Sequence, residues 1–116
     1  MVSLKMDKLL TLNKQTLVDL IGNEPEELYQ FRLRFLQQAK ESLKKLVQLY
    51  NADSYNEIKE EAHFLKTSAK AIGAEKTAQF LQQLEHEALN GHKINCKLLI
   101  KNINSEIKLV YQESKQ

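Results

Sequence analysis

The sequence predicts an all-α protein: an antiparallel up-and-down four-helix bundle with an additional short N-terminal helix. Three observations predict it. One proline and three glycines in 116 residues leave few interruptions. Leu, Lys, Glu, Gln and Ala, all good helix formers, dominate the composition. Apolar residues recur at three- and four-residue steps in segments too long for strands.

Each element has its own signal. Residues 1–10 read as an extended or frayed N-terminal segment of a single domain spanning 1–116. A short amphipathic helix is expected from about Asn13 to Ile21, with Leu17, Leu20 and Ile21 on one side and Gly22 closing it. Asn23 and Glu26 stand at capping-box spacing, and Pro25 suits a first helical turn, where its missing N–H costs nothing. Leu28, Phe31, Phe35, Ala39, Leu43, Leu46 and Tyr50 then mark the core stripe of a long helix ending near Asn51. Ser54 and Glu57 form a second capping-box pair before a helix from about Tyr55 to Ala71, and Gly73 permits a tight reversal. A fourth helix, about Glu75 to Leu89, turns Ala78, Leu81, Leu84 and Ala88 inward and stops at Asn90-Gly91. The last, about Asn95 to Gln112, carries Leu99, Ile103, Ile107 and Val110. Short connections make consecutive helices antiparallel.

Charge and composition narrow the function. A formal net charge of +2, with no basic run alternating with aromatics, argues against non-specific nucleic-acid binding. No stretch approaches the length of a membrane span, and Lys5, Asp7 and Lys8 interrupt any signal-peptide core. Cys96 is the sole cysteine, so no internal disulfide can form; it reads as a small packed side chain. A cytoplasmic, monomeric protein is the expectation.

The Tyr55–Ala71 helix is the candidate carrier of chemistry, although its spacing alone also fits a lone solvated histidine in a charge-rich helix. At about 100° per residue, Ile58, Ala62, Leu65, Ala69 and Ile72 share one side, and His63 lies roughly 140–150° away. Its wheel neighbours are Asn56, Lys59, Glu60, Lys66, Thr67 and Lys70. An exposed neutral imidazole is a nucleophile at neutral pH. Lys66 and Thr67 lie one turn on, beside the ring. Lys66 would balance an incoming phosphoryl dianion as a mobile point charge, with Lys59 and Lys70 adding to the field. The Thr67 and Ser68 hydroxyls are candidate hydrogen-bond donors, Ser68 lying nearer the core edge.

The stretch Ala62-His63-Phe64-Leu65-Lys66-Thr67-Ser68-Ala69-Lys70-Ala71-Ile72-Gly73-Ala74 resembles the signature of histidine-containing phosphotransfer (HPt) domains. His63, Leu65, Lys66, Ser68, Gly73 and Ala74 match it, and Phe80-Leu81-Gln82-Gln83-Leu84-Glu85 is similar to the family's following helix. Thr67 departs from it, standing where the family usually has glycine. The resemblance implies that His63 is the phosphoacceptor, through Nε2, in a multi-step His–Asp relay. It implies Lys66 as the charge-balancing lysine and, on the next helix, Glu85 or its rival Gln82 as a polar partner of the ring. The implied partners are receiver domains of response regulators or of a hybrid histidine kinase. Mg²⁺ would be held by the receiver, with no cofactor here and no kinase activity. Lys59, Glu60 and Phe64 are docking candidates, although Phe64 reads first as edge-of-core packing.

Other readings are weaker. Glu60 and His63 make one Glu-x-x-His pair, whereas a dinuclear metal site needs two such pairs facing inward, so no metal is assigned. His86 and His92 read as surface residues. The main alternative is a docking adaptor that binds receivers without carrying phosphate.

Overall fold

The computed structural model describes residues 6–115. Five helices form its body: α1 Lys14–Ile21, α2 Pro25–Asn51, α3 Tyr55–Ile72, α4 Glu75–Leu89 and α5 Lys93–Ser114. No strand occurs among the described residues. Helices α2 to α5 form an antiparallel bundle in which α2 packs on α3, α3 on α4, α4 on α5 and α5 back on α2; α1 lies against α3 and α2. The 27 residues of α2, rising about 1.5 Å each, run nearly the whole 42 Å length of the molecule.

The inward stripes of α3, α4 and α5 are buried residue for residue as the periodicity predicts. Two positions elsewhere differ. Phe31 is 39% exposed and stacks against Arg34; the buried position beside it is Arg32, whose guanidinium donates to the Lys14 carbonyl at 3.4 Å. There α2 meets α1, and a long aliphatic stem with a polar tip fits that junction better than a ring. Leu20 is 63% exposed, and Val18 joins Leu17 and Ile21 against the core in its place.

Helix starts also differ in detail. Glu24, without a side-chain bond to the backbone, is the N-cap of α2, so the Asn23–Glu26 box does not form; Pro25 needs no N–H partner and weakens the demand for one. Ser54 is the N-cap of α3, but its hydroxyl bonds the Glu57 carboxylate at 2.9 Å rather than a backbone amide. Helix α5 starts at Lys93, two residues early, and runs on to Ser114.

The first five residues of the expected N-terminal segment lie outside the described residues. Residues 6–8 are helical, not extended. The chain from Leu10 to Asn13 is strapped across the α3–α4 turn. Leu10 N–H and the Asn13 side-chain Nδ2 donate to the two Glu75 carboxylate oxygens at 2.8 and 3.0 Å, and the Asn13 backbone amide donates to the Gly73 carbonyl at 2.7 Å. Gly73 makes this approach possible. It sits in the left-handed region (φ 85°), and a Cβ there would fall 2.1 Å from the Asn13 carbonyl oxygen.

Candidate functional site

His63 is turned outward by what its helix buries. Ile58, Ala62, Leu65 and Ala69 are fully inaccessible and Ile72 nearly so. Each large side chain among them is worth about 1.5–3 kcal/mol buried, so rotating α3 to draw His63 inward would forfeit several such contributions. The His63 side chain is accordingly 64% exposed.

Helix α4, brought alongside by the reversal at Gly73, supplies the ring's partner. His63 Nδ1 lies 3.0 Å from Glu85 Oε1. The other carboxylate oxygen, Oε2, lies 2.7 Å from Lys66 Nζ. Lys66 also donates to Gln82 Oε1 at 2.7 Å. Both candidates on α4 are therefore in the site, in different roles: Glu85 contacts both the imidazole and the ammonium, and Gln82 the ammonium. A carboxylate at Nδ1 fixes the tautomer. Nδ1 carries the proton, and the lone pair of the neutral ring resides on Nε2.

Lys66 departs from the expectation of a mobile point charge. Its side chain is only 11% exposed and is held between Glu85 and Gln82. It lies at the α3–α4 seam, where Gln82 and Glu85 of α4 hold its ammonium and its side chain is largely covered. An ammonium has three protons, and one remains for a group arriving at the ring.

The other expected residues divide. Thr67 is exposed, and its hydroxyl donates to the His63 carbonyl at 3.3 Å, within its own helix. Ser68 is half-buried, toward the core side. Lys70 is exposed one turn beyond Lys66 and borders a shallow groove with Leu9, Glu75 and Gln82. Lys59 is half-buried and Glu60 exposed. Nδ1 of His63 is bonded to Glu85 rather than to Glu60, and no cluster of potential metal ligands occurs among the described residues. Phe64 is 58% exposed, not packed at the core edge. It borders a groove between α2 and α3 with Gln38, Glu41, Lys45 and Glu61.

Sequence reasoning passed over Glu61. It accepts a hydrogen bond from Ser42 at 2.7 Å and pairs with Lys45 at 3.3 Å, tying α2 to α3 beside Phe64. Both partners are far away in sequence, and helix periodicity holds no sign of them. His86 and His92 are exposed. Nδ1 of His92 lies 2.8 Å from Glu87, which, with a further bond from Asn95, holds the Glu87 carboxyl below its usual range. Cys96 is buried, and its thiol is pushed up by desolvation and by the nearby Glu87 charge. No helix among the described residues is long and apolar enough to cross a membrane.

The family model described as the Hpt domain matches residues 30–113. No curated protein matches the chain. Among solved structures, the histidine-containing phosphotransfer protein B (HptB) of Pseudomonas aeruginosa PAO1 superposes with a TM-score of 0.83 at 24% identity, covering 90% of this chain and 91% of that one. That likeness is one of fold. With the family match covering most of the sequence, the chain belongs to the Hpt domain family, the histidine phosphotransfer domains of two-component signalling.

Proposed function

We propose that this domain relays a phosphoryl group between receiver-domain aspartates, carrying it on Nε2 of His63. The observation that carries the proposal is the 3.0 Å contact between His63 Nδ1 and Glu85 Oε1 on a ring that is largely exposed. It leaves Nε2 as the nucleophilic nitrogen. In the forward step the Nε2 lone pair attacks phosphorus of an aspartyl phosphate, the P–O bond to the aspartate breaks, and the carboxylate leaves. The return step reverses this at a second receiver. Glu85 accepts the Nδ1–H hydrogen bond throughout and stabilises the positive charge that the ring acquires in the transition state. Lys66 sets an ammonium beside the incoming phosphoryl oxygens, with Lys70 adding to the field.

The receiver supplies Mg²⁺ and the acidic groups that hold it. This domain contributes a positioned nucleophile and charge balance, and it does not phosphorylate itself from ATP. The partners are receiver domains, free or fused to a hybrid kinase, met in the cytoplasm by Phe64, Lys59 and Glu60 around the histidine.

The test is incubation with a phosphorylated receiver and Mg²⁺, followed by intact-mass measurement and acid treatment. Wild type should acquire an acid-labile phosphoryl group, and His63→Gln should acquire none. Receiver binding without any label on wild type would instead make the domain an adaptor.

A further inference from the structure

The lysines of α5 are spaced by four and seven residues and so do not read as a basic run, yet the helix gathers them. At about 100° per residue, Lys93, Lys97, Lys101 and Lys108, with Lys115 at the C-cap, fall within an arc of roughly 80°. The two acids of the segment lie elsewhere. Glu106 is buried and accepts from the Thr11 hydroxyl at 2.8 Å, and Glu113 is half-buried on the opposite flank. Lys93 is neutralised by Asp53 and sits over the Tyr50 ring at 5.2 Å. Lys97, Lys101 and Lys108 are exposed and have no carboxylate partner among the described residues. Beside them, between α5 and the end of α2, lies an apolar cleft of about 250 Å³ lined by Val47, Tyr50, Asn51, Lys97, Ile100 and Lys101.

We infer that this α2–α5 groove docks an acidic amphipathic helix of a partner protein, one apolar side chain filling the cleft and its carboxylates facing the lysine row. Charge complementarity selects the sign of the partner. Pitch selects its form. Lys97, Lys101 and Lys108 rise by about 6 and about 10 Å in turn, the repeats of glutamates four and seven apart on another helix. The cleft is concave and sized for one anchor side chain, which favours a helix laid in a groove over a bilayer. A nucleic-acid backbone would match the lysines but leave the apolar cleft unused. Helices α3 and α5 lie diagonally across the bundle, since α3 packs on α2 and α4. The groove is thus separate from the His63 face, and a receiver and this partner can be held together. The inference does not rest on phosphate transfer.

The test uses the whole chain, isotope-labelled for amide NMR, titrated with a synthetic helical peptide carrying glutamates at four-residue intervals and one leucine anchor. Expected are saturable shifts confined to Val47, Tyr50, Lys97, Ile100 and Lys101. Affinity should fall about tenfold or more in Lys97→Glu with Lys101→Glu, and as salt rises. It should also fall for Val47→Ser, which leaves the charge intact, and for the peptide with leucine replaced by serine. His63→Gln should bind the peptide as wild type does. Shifts at other faces, or no saturable binding, would overturn the inference. So would binding of phosphatidylserine vesicles or single-stranded DNA at this face with the peptide ineffective.

Discussion

Glu85 joins His63 to Lys66: its Oε1 lies 3.0 Å from the imidazole Nδ1 and its Oε2 lies 2.7 Å from the ammonium. One carboxylate thus sets the tautomer of the imidazole and the position of the neighbouring ammonium. Glu85→Ala removes both functions, and phosphorylation of His63 by a phosphorylated receiver should slow by about tenfold or more, the scale seen when a histidine loses its orienting carboxylate. Glu85→Gln keeps an acceptor for Nδ1–H but loses the charge, and should fall between Ala and wild type. Single-turnover transfer rates measure this. Equal rates for all three proteins would remove Glu85 from the mechanism.

The same contact makes a stability prediction. Lys66 and Glu85 are 11% and 16% exposed, so removing one leaves a mostly buried charge without its partner. Lys66→Met should destabilise the fold by about 1–3 kcal/mol, allowing for the residual solvent at both groups. Adding Glu85→Gln should restore part of that loss, because the orphaned carboxylate is gone. A double-mutant cycle from urea denaturation gives the coupling; strictly additive effects would mean that the pair is not coupled.

Much of this site is legible in the sequence, and what is missed has a common cause. The angular position of a residue on its own helix follows from spacing, so the burial of Ile58, Leu65 and Ala69 and the exposure of His63 are readable. What lies across the seam is not. Lys66 reads as a solvent-facing lysine because the covering groups, Gln82 and Glu85, belong to α4. Phe64 reads as core edge because the width of the α2–α3 groove is unknown until both helices are placed. Glu61, bonded to Ser42 and Lys45, is invisible for the same reason. The placement of Glu85 near the ring follows from the family resemblance and the reversal at Gly73, and its Oε1 lies 3.0 Å from His63 Nδ1.

Gly73 should be the least replaceable glycine. Gly73→Ala meets two costs: a left-handed φ of 85° and a Cβ 2.1 Å from the Asn13 carbonyl oxygen. The first is worth about 1 kcal/mol and the overpacking about 1–3 more. Gly91→Ala, at φ 66° with open space around the added carbon, carries only the backbone cost. Denaturant midpoints should separate the two variants clearly. The Gly73 variant should also show faster hydrogen exchange at the Asn13 amide, whose acceptor is the Gly73 carbonyl. Equal losses at both positions would rule out a role for the strap.

Cys96 gives a pH dependence with a definite sign. Desolvation, then the Glu87 charge, raise its thiol above the ordinary value of 9.0. The folded state therefore binds the proton more tightly than the unfolded chain. The stabilising contribution is complete below about pH 9 and is lost as pH rises through the higher folded value. Cys96→Ala should remove that alkaline decline in denaturation experiments. The native thiol should react with a disulfide reagent far more slowly than free cysteine at the same pH. Rapid labelling without unfolding would contradict its burial.

Thr67, where the family signature usually has glycine, separates stability from transfer. Its side chain is exposed and its hydroxyl returns to the His63 carbonyl at 3.3 Å. It therefore adds bulk one turn from the imidazole without aiming a donor at Nε2. Thr67→Gly should destabilise the fold by about 0.5 kcal/mol, the difference in helix propensity. It should leave the His63–Glu85 contact intact and open the approach to Nε2. Phosphotransfer from a receiver should then become faster, or extend to receivers that wild type uses poorly. The deciding measurement is the transfer rate of wild type and variant against a panel of phosphorylated receivers, alongside thermal melts. A slower rate in the variant across the panel would mean that the threonine assists transfer, through its methyl or its hydroxyl, and Thr67→Val would then tell the two apart.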